Sequence, residues 1–308
     1  MTATRTAPTG RSTEPAPPDA PRRLGFAGRM MAPGVVLLAL LSVLPFLALV
    51  VMSLTRVHLL GGVRLEWVGL TNWIRLFTDA DMWASWARLG VYLVLTLGLE
   101  LVLGMLIAFG LHRVLRGRGL LLSLLLLPMF AAPVIVGLLG RYLTDSTFGL
   151  YTWIFGQVGL HIDPLGGTTS AFVAVVLMDV WEWTPLVALI TLAGLSAVNE
   201  SVLEAAELDG ATGWARFRHV ILPSISTVLL VALLIRAMDA VRYFDIISIT
   251  TNGGPADATK IVPVRLYETA FRFFDLGYAA AIGLLLLVLT IVIARIFVRV
   301  LNRKGLAG

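Results

Sequence analysis

The 308-residue chain has no cysteine and few charged residues, and only two of its basic residues are lysines. The absence of cysteine excludes disulfides, cysteine-ligated zinc, iron–sulfur clusters and thiol catalysis within this chain. Charged residues make up 14% of the sequence, whereas an average soluble domain carries about 25%. Hydrophobic residues make up 58% of it. This composition excludes an ordinary soluble globule.

The chain also lacks the patterns that nucleotide and metal sites require. A phosphate-cradling loop needs a Gly-Lys-Ser/Thr core, and neither Lys260 nor Lys304 follows a glycine. The four histidines, at positions 58, 112, 161 and 219, are scattered rather than clustered, which favours neither a metal site nor an intramembrane enzyme. We therefore expect no catalytic residue, no metal and no cofactor in this chain.

Long apolar runs are what the sequence has instead. Runs of about 20 apolar residues can cross a hydrocarbon core of about 30 Å as helices. The sequence therefore predicts an all-α polytopic membrane protein whose transmembrane domain covers residues 26–304. Six spans are expected, at about residues 31–54, 89–111, 120–142, 171–192, 225–247 and 279–300.

The basic residues are mostly arginines in short segments beside these runs, which is typical of topology signals rather than of nucleic-acid binding. Six spans put both termini on one side of the membrane, and the arginine excess there predicts that both are cytoplasmic. Residues 1–25, rich in Pro, Thr, Ala and Arg, are expected to form a disordered cytoplasmic tail. A cleaved signal peptide is disfavoured because its apolar core would have only about 7–15 residues.

The loop at residues 200–223, between the predicted fourth and fifth spans, combines acidic, aromatic and basic residues. It reads as a helix up to Leu208, a turn at Gly210 and a second short helix that precedes Pro223 and the fifth span. Such a knob fits a groove on another protein. A membrane-surface amphipathic helix is the alternative, and periodicity alone would favour it.

The spacing of Glu204-Ala205-Ala206, Gly210 and Leu222-Pro223 resembles the signature loop, or EAA motif, of binding-protein-dependent ABC transporter permeases. One departure is Val220, where that family usually has isoleucine. The resemblance implies that the loop docks on a cytoplasmic ATPase subunit, which would hold the ATP and magnesium. The coupling residues that it implies are Glu204, Ala205, Ala206, Asp209, Gly210, Trp214, Phe217, Leu222 and Pro223.

Other segments resemble the carbohydrate-uptake branch of the family, the maltose and glycerol-phosphate type. They are residues 243–255 with Thr259, residues 68–73 and residues 271–281. The resemblance implies an importer of a sugar or sugar derivative in a bacterial cell membrane, surrounded by lipid. It also implies three partners besides the carbohydrate: cytoplasmic ATP-binding subunits, a second homologous permease in a heterodimer, and an extracytoplasmic solute-binding protein or lipoprotein.

Ionisable residues inside the predicted spans mark a candidate solute path, because each costs about 2.5–3.5 kcal/mol at the bilayer centre. Arg236, Asp239 and Arg242 recur at spacings of three, while Asp179 and Glu182 lie on the fourth span before Pro185, which would interrupt that helix. The family resemblance implies a solute path between these two spans, so a sugar pocket and an Arg–carboxylate pair that holds the spans together are weighted evenly. The two arginines also allow a phosphorylated or acidic sugar. The candidate path residues are Trp181, Glu182, Trp183, Arg236, Asp239, Ala240 and Tyr243.

An ion-coupled secondary transporter for a small polar solute is the competing interpretation, with Asp239 and Glu182 as its proton carriers. It is weakened because the sequence shows no duplicated halves and no matched pair of glycine-interrupted short spans.

Overall fold

The computed structural model of the chain describes residues 26–59, 62–114, 116–160 and 162–305. The predicted tail, residues 1–25, lies outside the described residues, as does the histidine at position 161. The chain divides into two units, residues 1–48 and residues 49–308. The first is represented by most of one apolar helix, and the second contains all the other elements.

The regular secondary structure of the described residues is helical apart from one two-stranded antiparallel ribbon, in which Thr55 pairs with Trp67. A 3₁₀ turn forms at Pro128–Phe130, and π-helical turns form at Phe217–Ile221 and Glu268–Arg272. In chain order the elements are α1 (Phe26–Ser53), β1 (Thr55–His58), β2 (Arg64–Trp67), α2 (Thr71–Thr78), α3 (Ala80–Arg113), α4 (Arg118–Leu126), α5 (Pro133–Leu143), α6 (Leu150–Gln157), α7 (Thr168–Ser196), α8 (Glu200–Leu208), α9 (Gly213–Arg216), α10 (Leu222–Ala240), α11 (Asp245–Thr250), α12 (Val262–Tyr267) and α13 (Leu276–Gly305).

Five helices among the described residues are long and apolar enough to cross a membrane. They correspond to five of the six predicted spans and extend beyond several of the predicted bounds. Helix α3 begins at Ala80 rather than at residue 89. An Asp79 cap explains this start, because its carboxylate accepts hydrogen bonds from the backbone N–H groups of Asp81 and Met82. Trp83 and Trp86, which precede the predicted second span, are therefore helical.

The predicted third span, residues 120–142, is not one helix. Helix α4 ends at Leu126, a 3₁₀ turn follows from Pro128, and α5 begins at Pro133. Proline lacks the N–H that a continuing helix would need, and its ring clashes with the carbonyl four residues earlier. Two prolines five residues apart thus divide the apolar run into short helices.

The predicted fifth span also ends early, because α10 stops at Ala240 rather than continuing to residue 247. The chain turns after it and restarts as α11 at Asp245. Arg242 and Tyr243 therefore lie in a turn rather than on the helix face that carries Arg236. Pro185, in contrast, lies inside α7 without interrupting it.

The core forms where α3 packs along α7 and both meet α10. Gly104 of α3 makes the closest approach, because a Cβ added there would lie 2.8 Å from Cγ1 of Val187 and 3.0 Å from the backbone nitrogen of Ala188. Further along the same two helices, Tyr92 of α3 and Val180 of α7 are buried in one apolar cluster with Ile246 of α11. These contacts place the polar residues of three helices next to each other.

An ion-pair network fixes the loop between α11 and α12. Lys260 Nζ lies 2.6 Å from Asp257 Oδ1 and 2.9 Å from Glu268 Oε2. The hydrogen bond from Lys260 holds the pKa of Asp257 below its usual value. Burial by itself lowers the pKa of Lys260, but the hydrogen bonds to Asp257 and Glu268 outweigh it and raise that pKa. Both charges thus stabilise the folded loop.

Candidate functional site

The coupling segment, residues 200–223, begins with helix α8, which Asn199 caps by accepting a hydrogen bond from the N–H of Ser201. Gly210 then has a φ of +75°, a left-handed conformation that residues with a Cβ adopt only with strain. Thr212 caps the next helix by accepting a hydrogen bond from the N–H of Ala215. The sequence predicted this helix, turn and helix at these positions.

The second helix of the segment differs from the expectation. Helix α9, the π-turn Phe217–Ile221 and α10 form one uninterrupted helix, so Pro223 does not mark the start of a separate span. In the π-turn the N–H of Leu222 donates to the carbonyl of Phe217, five residues earlier. This wider turn accommodates Pro223, which cannot donate a helical hydrogen bond and would crowd a regular turn.

Apolar side chains of the segment are exposed. Leu208 is 90% exposed and Trp214 is 67% exposed. Phe217 is half-buried, with its ring centroid 5.4 Å from that of Trp214 and 5.5 Å from that of Phe109 on α3. Of the other expected coupling residues, Glu204, Ala205, Asp209, Gly210 and Pro223 are exposed, and Ala206 and Leu222 are half-buried.

A second group of polar side chains, here called the ion cluster, consists of Arg236, Glu100, Asp179 and Asp239. Arg236 is fully buried and donates to both carboxylate oxygens of Glu100, from Nε at 2.8 Å and from Nη2 at 2.6 Å. Its Nη2 also lies 2.9 Å from Asp179 Oδ2, and its Nη1 lies 3.0 Å from Asp239 Oδ2. One guanidinium therefore joins α3, α7 and α10 through three carboxylates.

Aromatic side chains border the ion cluster. The guanidinium carbon of Arg236 lies 4.9 Å from the centroid of the Trp183 ring, a cation–π distance. The hydroxyl of Tyr243 donates to Glu182 Oε2 at 3.0 Å, and its ring stacks on Tyr92 with centroids 5.9 Å apart. Indole and phenol rings thus lie beside the carboxylates.

The structure brings together most of the expected path residues: Glu182, Trp183, Arg236, Asp239 and Tyr243. Trp181 lies apart from them. It is 54% exposed and lines a separate apolar cavity of about 400 Å³ with Met178 of α7 and Tyr151 of α6. Ala240 is fully buried in the apolar core.

The contacts of Arg236 distinguish the two interpretations that the sequence could not separate, a sugar pocket and a structural ion pair. Its hydrogen bonds go to carboxylates of three helices and its side chain is not exposed, so it supports the interpretation as an ion pair that holds spans together. The main partner, Glu100, was absent from the expected site. It was nonetheless identifiable as the single acidic residue of the predicted second span, where an ionisable group requires a reason to remain.

A cavity of about 230 Å³ opens beside the ion cluster and is here called the Trp183 cavity. Trp183 Nε1 is buried next to it and has no hydrogen-bond partner among the described residues. Across the described ranges, no three His, Asp or Glu side chains gather in a geometry that could hold a metal ion. The residues that line the cavity are Pro133, Trp183, Asp239, Arg242, Tyr243 and Asp245.

Comparisons with known proteins cover most of the chain. The family model described as "Binding-protein-dependent transport system inner membrane component" matches residues 100–305. A trehalose/maltose transport system permease protein of Thermococcus litoralis is 34% identical over 271 residues, which cover 86% of this chain and 92% of that protein. A trehalose transport system permease protein of Mycobacterium tuberculosis is 32% identical over 289 residues, with 94% and 92% covered.

A solved structure shares the fold. The crystal structure of a bacterial ABC transporter involved in the import of the acidic polysaccharide alginate matches with a TM-score of 0.78 and 19% sequence identity. The match covers 90% of this chain and 95% of the matched chain.

Proposed function

This chain belongs to the inner-membrane components of binding-protein-dependent transport systems, and we propose that it carries a carbohydrate across a bacterial cell membrane. The sequence resemblance to ABC transporter permeases is thereby confirmed. The chain is a multi-pass membrane permease subunit and not an enzyme, since ATP hydrolysis in this family takes place on separate subunits.

The two related permeases are the main support for a carbohydrate substrate. Both are named for the transport of trehalose, one also for maltose, and each alignment covers more than four fifths of this chain. The chemistry of the site is consistent with such a solute, because aromatic faces pack on sugar rings and carboxylates accept hydrogen bonds from hydroxyls. Trp183, Glu182, Asp239 and Tyr243 supply these groups within a small volume.

The coupling role of residues 200–223 follows from their surface. Leu208 and Trp214 are large, apolar and strongly exposed. Burial of such a side chain in a groove on a cytoplasmic ATPase subunit would stabilise the complex by about 1.5–3 kcal/mol. That subunit would hold ATP and magnesium. The proposed coupling residues remain those named from the motif, Glu204 to Pro223.

The proposed assembly follows from this role. The coupling segment faces the cytoplasm, both termini lie on that side, and the arginine excess there supports this orientation. A second homologous permease faces this chain across the solute path. An extracytoplasmic binding protein delivers the solute, and closure of the ATPase then moves the spans. The ion-coupled alternative is set aside because the family depends on a binding protein.

The docking step is tested by the variants Leu208→Glu and Trp214→Glu. Each should reduce co-purification of the ATPase subunit with the permease, since it places a charge in an interface that should be apolar. Trp67→Glu is the matched control, because Trp67 is equally exposed, at 68%, but lies on the outer ribbon. Unchanged co-purification and unchanged sugar uptake in both coupling variants would contradict the proposal.

The energy source is tested separately. In cells that express the complete transporter, uptake of radiolabelled trehalose or maltose should stop on depletion of ATP and survive collapse of the proton gradient. The opposite pattern would restore the ion-coupled alternative.

A further inference from the structure

The charged side chains of the ion cluster bind one another, whereas those that line the Trp183 cavity can still interact with a solute. Every guanidinium nitrogen of Arg236 donates to a carboxylate of the cluster, and the side chain is completely buried. Four of its five N–H groups thus donate to carboxylates, and Arg236 is not among the residues that line the Trp183 cavity. This removes one of the two arginines whose presence would favour a phosphorylated or acidic sugar.

Arg242 is the other arginine, and it is also partly occupied. Its Nε donates to the carbonyl of Met238, and its Nη2 lies 3.9 Å from Asp239 Oδ1. Its side chain is 69% exposed, so much of its charge is hydrated rather than directed into the cavity. Among the described residues, Arg242 is thus the only basic side chain that lines this cavity.

The acidic groups around the cavity are more numerous. Asp239 and Asp245 line it directly. Asp245 opens α11 and is exposed, and its carboxylate makes no hydrogen bond or ion pair with the part of the chain that the structure describes. Glu182 lies behind the cavity, on the hydroxyl of Tyr243. Because Asp239 is paired with Arg236 and Arg242, the carboxylate of Asp245 is the charge that would repel an anionic solute at short range.

We propose that the Trp183 cavity is this chain's contribution to the solute-binding site, and that it admits an uncharged polyhydroxylated sugar while rejecting a phosphorylated or acidic one. This inference rests on the proposed function and narrows its substrate class. Two donor–acceptor features support an uncharged solute. The buried Trp183 Nε1 has no partner among the described residues and can donate to a hydroxyl oxygen, and Asp245 can accept from a hydroxyl.

The size and the walls of the cavity fit one sugar ring. Its volume of about 230 Å³ lies below the roughly 300–1,000 Å³ of sites that enclose drug-sized ligands. The indole of Trp183, the ring of Pro133 and the phenol of Tyr243 give apolar surfaces against which a sugar ring can pack. A disaccharide would place one ring here and the other on the facing permease.

Direct binding to the membrane complex tests the inference without the selection that a binding protein imposes. The complex of this chain with its partner permease and ATPase subunits is prepared in lipid nanodiscs, and saturation-transfer NMR measures weak binding of three probes. Trehalose is uncharged, sn-glycerol 3-phosphate is anionic and glucosamine is cationic. We expect trehalose to bind at least about tenfold more tightly than sn-glycerol 3-phosphate.

The variant Asp245→Asn should weaken trehalose binding about tenfold, because it removes a charged hydrogen-bond acceptor. Asp81→Asn is the matched control and should bind like the parent. Asp81 is also an exposed aspartate in the first turn of a helix, and its carboxylate has no partner within the described ranges. The variant Asp245→Arg should raise the affinity for sn-glycerol 3-phosphate relative to that for trehalose.

Three results would overturn the inference: equal or tighter binding of sn-glycerol 3-phosphate, tighter binding of glucosamine than of trehalose, or trehalose binding that Asp245→Asn leaves unchanged. ATP-driven uptake of a phosphorylated sugar would overturn it while leaving the proposed function intact. Selective trehalose binding without ATP-driven uptake of any sugar would instead overturn the proposed function.

Discussion

Removal of the Arg236 guanidinium is expected to destabilise the membrane domain strongly. The variant Arg236→Met keeps an unbranched side chain of similar length but leaves Glu100, Asp179 and Asp239 without their shared cation. Glu100 on α3 and Asp179 on α7 are fully buried. Breaking a buried ion pair by removal of one partner costs about 3–5 kcal/mol, because it leaves uncompensated buried charge. For a domain of this size such a loss lowers the unfolding midpoint by roughly 10 °C.

Thermal inactivation of the complex, followed by size-exclusion chromatography of the detergent-solubilised protein, measures this shift. Arg64→Met is the matched control, because Arg64 is exposed on β2 and makes no ion pair with the described residues. It should not change the midpoint. Glu100→Gln should have a smaller effect than Arg236→Met, since Arg236 keeps Asp179 and Asp239.

The double variant Glu100→Met with Arg236→Met distinguishes an ion pair from simple packing. If the two side chains stabilise each other, the double variant should lose less than the sum of the single losses, by up to about 3 kcal/mol. A parent-like midpoint for Arg236→Met would refute the assignment of Arg236 as a structural cation. Strict additivity of the two single changes would refute its pairing with Glu100.

Two further predictions concern packing and pH. Gly104→Ala should destabilise the domain by about 1–3 kcal/mol, because its Cβ would lie 2.8 Å from Val187. Gly98→Ala is the control and should not destabilise it, because a Cβ there would meet open space. Equal unfolding midpoints for the two variants would contradict the close contact of α3 with α7. The protection of residues 252–260 against hydrogen exchange, measured as the intrinsic rate at each pH divided by the observed rate, should be greatest between about pH 4 and pH 10. Asp257 loses its contribution to stability as the pH falls through its lowered pKa, and Lys260 loses its contribution as the pH rises through its raised pKa. Lys260→Met should remove this dependence, and an unchanged profile would contradict it.

The sequence predicted the fold class because apolar length is a local property. Twenty apolar residues specify a span whatever surrounds them, so five spans could be located without any knowledge of packing. The errors arose where local chemistry overrides the apolar run. Pro128 and Pro133 divide the third run, and the hydropathy of residues 225–247 conceals the end of α10 at Ala240. Asp79 extends α3 through a cap that a hydropathy profile does not register.

The candidate site was harder to predict because it depends on contacts between distant helices. Arg236 and Glu100 are 136 residues apart, and no spacing rule connects them. Arg236, Asp239 and Arg242 recur at spacings of three, but α10 ends at Ala240, so Arg242 lies in the following turn and reaches only Asp239 of the ion cluster, at 3.9 Å. Within residues 200–223 the starts of both helices and the turn at Gly210 were predictable, since the caps and the glycine are local features of the sequence, but the continuation of the second helix through Pro223 was not.

The proposed coupling has a structural consequence, because the second helix of the coupling segment and Arg236 belong to one continuous helix, Gly213–Ala240. From Gly213 to Arg236 this helix measures about 35 Å at roughly 1.5 Å per residue. A displacement of Trp214 by an ATPase subunit would therefore reach the ion cluster directly. Arg236 cannot leave Glu100 and Asp179 without exposing unpaired buried charge, so α3, α7 and α10 should move as one body. We expect the bends at the breaks between Leu126 and Pro133 and after Ala240, where no buried ion pair among the described residues has to break.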